Sequence, residues 1–116
     1  MAFTPRFALL LKVMLRRRDP AAAEGLFLDG SVEFESGDLE GARLAFYYGT
    51  KLDPGMAGNF YNYAVATEKL KGETKETLKA WRAYLEAADR DPRQKAEQKS
   101  KAREHAEQLA AKLGEK

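Results

Sequence analysis

The sequence predicts an all-α chain in which helix pairs stack side by side as a solenoid. Three observations carry that expectation. The dipeptide Asp-Pro recurs at Asp19-Pro20, Asp53-Pro54 and Asp91-Pro92, with the prolines 34 and then 38 residues apart. A residue before proline is pushed out of helical geometry, so each pair marks a helix boundary. Between these boundaries apolar residues recur at helical spacing. Strand signals are missing: no run alternates with period two, and valine and isoleucine are nearly absent.

The segment 1–19 reads as an amphipathic basic helix. Phe3, Phe7, Leu10, Leu11 and Met14 share one face, and Arg16, Arg17 and Arg18 follow at its end, where bases oppose the helix dipole. Its plainest role is a flanking helix of the stack. The alternatives are docking into a partner, self-association, or lying on an anionic membrane surface. The apolar run Phe7 to Leu11 is far shorter than the ~20 residues a bilayer needs. Lys12 interrupts it, and no small-residue cleavage site follows, so a secretory signal is disfavoured.

The first helix-turn-helix unit occupies 21–54. Leu26, Phe27, Gly30 and Phe34 mark its first helix. Ser36-Gly37-Asp38 forms the turn, with Gly able to end one helix in left-handed geometry and Asp able to cap the next. Leu39, Ala42, Ala45 and Phe46 carry the second helix to Leu52. The second unit occupies 57–90. Phe60, Tyr63, Ala64, Ala66 and Leu70 form its first apolar set, Lys71-Gly72-Glu73-Thr74 its turn, and Thr77, Leu78, Trp81, Tyr84, Leu85 and Ala88 a broad second stripe. The tail 92–116 is rich in helix formers and almost wholly polar at first. Ala102, Ala106, Leu109, Ala110 and Leu113 then make a thin stripe, as suits a polar-faced capping helix that Gly114 ends. The small residues Gly30, Ala42, Ala45 and Ala64 would let helix axes approach closely while Phe46, Trp81 and Tyr84 fill the remaining volume.

Charge is unevenly placed on the 116-residue chain. Residues 1–18 carry +5, residues 19–56 carry −6 and residues 57–116 carry +3. The overall balance of +2 is not that of a plain nucleic-acid binder, and three arginines without interleaved aromatics make nucleic acid the least favoured partner. With no cysteine there is no disulfide framework and no thiolate metal site, which is compatible with the cytoplasm. His105, the sole histidine, reads as a surface residue beside Glu104. Ser31, Ser36 and Ser100 lack a Gly-x-Ser-x-Gly elbow, and no phosphate-binding glycine loop is present. No catalytic residue, metal ligand or cofactor is implied, and a non-enzymatic protein is expected.

The stretch Ala23 to Pro54 resembles a tetratricopeptide repeat (TPR). Leu26 stands at the first large-residue position, and Gly30 at the small position four later. Gly37-Asp38-Leu39 matches the turn between helices, Ala42 and Phe46 the small and aromatic positions of the second helix, and Asp53-Pro54 the terminator. Asp29 and Glu33 depart from usually apolar positions, and Gly49 stands where Ala is usual. Ala57 to about Ala88 resembles a second repeat through Asn62-Tyr63-Ala64-Val65-Ala66 and the run Leu78 to Glu86.

This resemblance implies a right-handed α-solenoid of about two TPR units with flanking helices, a single domain over 1–116. It implies an adaptor or scaffold whose concave groove is lined by the first helix of each repeat. The groove residues would be Glu24, Phe27, Ser31, Phe34 and Glu35, then Tyr61, Asn62, Val65, Glu68 and Lys69. Only Asn62 matches the basic and amide set with which some TPR domains clamp a terminal carboxylate. Counting Glu24, Glu35 and Glu68, a basic or apolar peptide or amphipathic helix is the expected ligand rather than an acidic one. Fewer than three full repeats is thin for independent stability, so a homo-oligomer or a permanent partner is also expected.

Overall fold

The computed structural model describes residues 20–115, and these form helices joined by short turns. The residues 1–19, with the face of Phe3, Phe7, Leu10, Leu11 and Met14 and the arginines 16–18, lie outside the described residues. The helices are α1 (Pro20–Glu35), α2 (Leu39–Leu52), α3 (Ala57–Lys71), α4 (Lys75–Asp89) and α5 (Ala96–Leu113). Each packs on its neighbours in sequence, and α1 also reaches α3.

The turns follow local chemistry. Gly37 ends α1 at φ +90°, a region L side chains rarely enter. Asp38 then caps α2, its carboxylate accepting the Gly41 N–H at 3.0 Å. Thr74 caps α4 in the same way, accepting the Thr77 N–H at 3.3 Å. Helix α2 stops at Leu52 and α4 at Asp89, just ahead of the two downstream Asp-Pro pairs.

Helix α3 has no cap of its own, because Met56 offers no side-chain acceptor to its first turn. The cap comes from Asp91, whose Oδ2 accepts the Ala57 N–H at 3.0 Å from beyond α4. Asp91 is 3% exposed. Its Oδ1 takes the Arg93 backbone N–H at 3.1 Å and Nε–H at 2.8 Å, while Arg93 Nη2 donates to the Gly55 carbonyl at 3.1 Å. The Arg93 guanidinium beside it holds the Asp91 carboxyl down at about 2 despite burial, and the Ala57 and Arg93 amides add to that. The Asp91–Arg93 pair thus ties the entry of α5 to the entry of α3.

Among the described residues two apolar clusters fill the interior. The smaller joins Ala42, Phe46 and Ala66, with Phe27, Phe34 and Tyr63 packed on it. Gly30 makes it possible: a Cβ there would stand 2.7 Å from the Phe46 ring. The larger runs through α3, α4 and α5 around Leu78, Trp81, Tyr84 and Leu109. Tyr84 is fully buried and its hydroxyl donates to Gln94 Oε1 at 2.8 Å. Tyr61 meets the Trp81 and Tyr84 rings edge-on, at centroid distances of 5.4 and 5.2 Å. Arg43 straps α2 to the rest, donating to Thr67 Oγ1 at 3.1 Å and the Tyr63 hydroxyl at 3.0 Å and pairing with Glu76.

Several positions differ from the pattern read along the chain. Leu70 was counted with the apolar set of α3, yet it is exposed, because the buried face turns through Ala64, Ala66 and Thr67 instead. Glu33 is buried, with its Oε2 accepting no hydrogen bond among the described residues, whereas Asp29 is exposed. Among the described residues no helix is long and apolar enough to cross a membrane.

Candidate functional site

Helices α1, α3 and α5 border a shared face, and α2 and α4 floor it. On α3, Tyr61, Val65 and Glu68 follow one another at i, i+4 and i+7, a single stripe along the helix. A hollow opens on each side of that stripe. The α1 side holds about 280 Å³ between Ser31, Phe34 and Glu35 of α1 and Tyr61, Asn62 and Val65 of α3, over the Phe46 ring. The α5 side is larger, about 670 Å³, and Trp81 forms its floor. Tyr61 and Val65 belong to both, so the hollows make one trough divided by α3.

The larger hollow exists because of the composition of α5. The half of α5 that faces it offers Glu97, Gln98 and Lys101, and only Ala102 and His105 approach the floor. Polar side chains reach for solvent and leave the space between α3 and α5 unfilled. Further along α5, Ala106, Leu109 and Ala110 are buried and close the pair.

A polar cluster sits at the back of this hollow. The Trp81 indole N–H donates to Glu68 Oε1 at 2.8 Å. His105 Nε2 lies 2.6 Å from the same oxygen, an arrangement that holds when the ring carries its proton on Nε2. The His105 and Trp81 rings meet edge-on at 5.2 Å. His105 is therefore a groove residue and not the isolated surface histidine that its sequence neighbours indicate. No group of His, Asp and Glu suited to a metal ion occurs among the described residues.

Of the ten residues expected in the groove, Ser31, Phe34, Glu35, Tyr61, Asn62, Val65, Glu68 and Lys69 line one hollow or both. Glu24 and Phe27 line neither. Phe27 packs instead against Phe46, centroids 6.3 Å apart, and lies 3.5 Å from where a Cβ on Gly58 would stand. Ser31 spends its hydroxyl hydrogen on the Phe27 carbonyl at 2.8 Å. Reading along the sequence missed Trp81, Lys95, Gln98, Lys101 and His105, which come from the helices that follow. Their only local signal is the absence of large apolar residues in the first half of α5.

These additions change the charge of the trough. Glu24 is outside it, and Glu68 is engaged by the indole and the imidazole. Lys69, Lys95 and Lys101 rim the larger hollow. Among the described residues Glu35 is the charged side chain lining the smaller one, and the Lys69 ammonium lies over its Phe34 ring. The face therefore carries a carboxylate at its α1 edge and a mixed rim at its α5 edge, where Lys95 and Lys101 outnumber Glu97.

No family model matches this chain, and neither a curated protein nor a solved structure matches it.

Proposed function

We propose that this chain is a small TPR-type solenoid of about two repeats that acts without catalysis, holding a segment of another protein in the trough of α1, α3 and α5. The observation that carries the reading is that two hollows flank α3 and share Tyr61 and Val65 in their linings. A bound segment could thus cross α3 and place a side chain on each side. Phe34, Tyr61 and Val65, each half-buried, supply apolar area that anchors such a side chain. The Glu68–His105 pair shares its carboxylate with an indole, which suits a fixed polar back wall more than proton transfer.

Val65→Glu tests the reading. Val65 is half-buried at the centre of the trough, and glutamate keeps the helix. Affinity capture from the native extract with wild type should retain proteins that the variant loses by tenfold or more, with circular dichroism showing the variant still folded. Equal capture by a folded variant would place the contact elsewhere.

A further inference from the structure

Among the described residues nothing covers the outer face of α1, and its charge is opposite in sign to the lysines of the larger hollow. Leu28 and Val32, one turn apart, are 58% and 67% exposed, the most exposed large apolar side chains among the described residues. Glu24, Asp29 and Glu35 flank them, all exposed, and α1 contains no base. An apolar pair framed by same-sign charge is an unusual solvent face for a helix, and such faces mark contact surfaces. Across α3, the hollow of about 670 Å³ has Val65, Trp81 and Ala102 on its apolar side and Lys69, Lys95 and Lys101 on its rim, with Glu68 and Glu97 beside them. Lys69 lies over the Phe34 ring, and neither it nor Lys95 pairs with a carboxylate among the described residues. Lys101 meets Glu97 at 3.2 Å, but both side chains are more than three-quarters exposed, so that pair exchanges readily for another.

We infer that the α1 face of one molecule docks in the α3–α5 hollow of a second copy, so that the chain associates head to tail. Leu28 and Val32 enter over Trp81 and Val65, and the carboxylates of Glu24, Asp29 and Glu35 meet the three lysines. The two surfaces are different patches, so the contact is heterologous: each molecule keeps one free surface of each kind and can add further copies. The inference rests on the α3–α5 hollow being a docking surface, as the proposed function does. It names a second copy as one occupant, which a foreign segment would displace.

The test is sedimentation of the full chain over a concentration series. Wild type should show a mass rising above the 13.0 kDa of one chain as concentration increases, and the rise should weaken with salt. Leu28→Gln with Val32→Gln breaks the α1 face. Lys95→Glu with Lys101→Glu breaks the hollow. Every substituted side chain is exposed, so both variants should fold as wild type does, which circular dichroism checks. Each variant alone should be monomeric. Mixed in equal amounts they should form a one-to-one dimer and nothing larger, because one intact α1 face and one intact hollow remain. A wild type monomeric up to about 1 mM would overturn the inference, since any weaker contact falls outside useful affinity. So would association that survives either variant, or a mixture that fails to dimerise. A monomeric wild type that still captures, through Val65, a protein other than this chain would overturn this inference alone, so the two readings fail separately.

Discussion

Around Phe46 the α1–α2 pair closes its interior by bringing backbones together. Gly30 lets the ring lie where a Cβ would collide, and Gly49 does the same for Asn59, whose side-chain atoms lie 2.6 Å from where a Cβ on Gly49 would stand. Around Tyr84 the α3–α5 group closes its interior with side chains, through Tyr61, Trp81, Tyr84, Leu78 and Leu109. The first region also buries a carboxylate at Glu33, while the second buries one at Asp91 that is fully tied. The same sequence plan thus yields one tight, glycine-dependent contact and one broad aromatic core. The aromatic core gathers more of the buried residues, so the α1–α2 pair is expected to yield first.

Tyr84→Ala should cost about 4 kcal/mol, the usual loss for emptying a large aromatic site, and a urea titration reads it. If the cost is no greater than that of a change at Phe46, the contrast between the regions fails. Asp91→Ala should cost about 2–3 kcal/mol, because it uncaps α3 and frees Arg93 in one step. Gly30→Ala gains helix propensity but forces a Cβ into the Phe46 ring, for a net cost of about 1–2 kcal/mol. Hydrogen exchange should then speed up in α1 and α2 and stay unchanged in α4. Uniform loss of protection would mean that the two regions open together.

Acid separates the regions by sign. Burial raises the Glu33 carboxyl above its usual range, and the negative charge of Asp38 adds to this. Its contribution is therefore complete below the ordinary value of 4.5 and is lost as pH rises through the folded value. Asp91 runs the other way. Held at about 2, its contribution is complete above the ordinary 3.8 and is lost as pH falls from there toward 2. The depression corresponds to about 2 kcal/mol at neutral pH. Glu33→Gln should stabilise the protein at pH 7 by about 1 kcal/mol and remove the first of these two slopes, which melting temperatures across pH would show.

The helices and their ends were legible in the sequence because their signals are local. Gly37, Gly72 and Gly114 carry positive φ where helices end, and Asp38 and Thr74 cap where the turns place them. Trp81, Tyr84 and Ala88 could be read as core from spacing alone. The rotation of each helix about its axis was harder to read. It decides that Leu70 faces solvent, that Phe27 turns from the trough into the packing against Phe46, and that Glu33 turns inward. Contacts across the fold leave no mark on the local sequence. Asp91 caps a helix that begins 34 residues earlier, and His105 meets Glu68 from a helix whose sequence shows a thin apolar stripe but not what it faces. The mixed rim of the larger hollow was missed for that reason, and with it the difference in charge between the two edges of the trough.

Trp81 is the only tryptophan in the chain, and its indole N–H is held by Glu68 on the floor of the larger hollow. Light absorbed selectively by indole is therefore emitted from a single known place. Trp81 is only 6% exposed, so a side chain seated in the hollow would act on the emission by shifting the Glu68 and His105 contacts of the ring, with no label attached. The molecule thus has a built-in optical gauge of whether this hollow is filled, and occupancy can be followed in real time, by stopped flow or in a crude mixture.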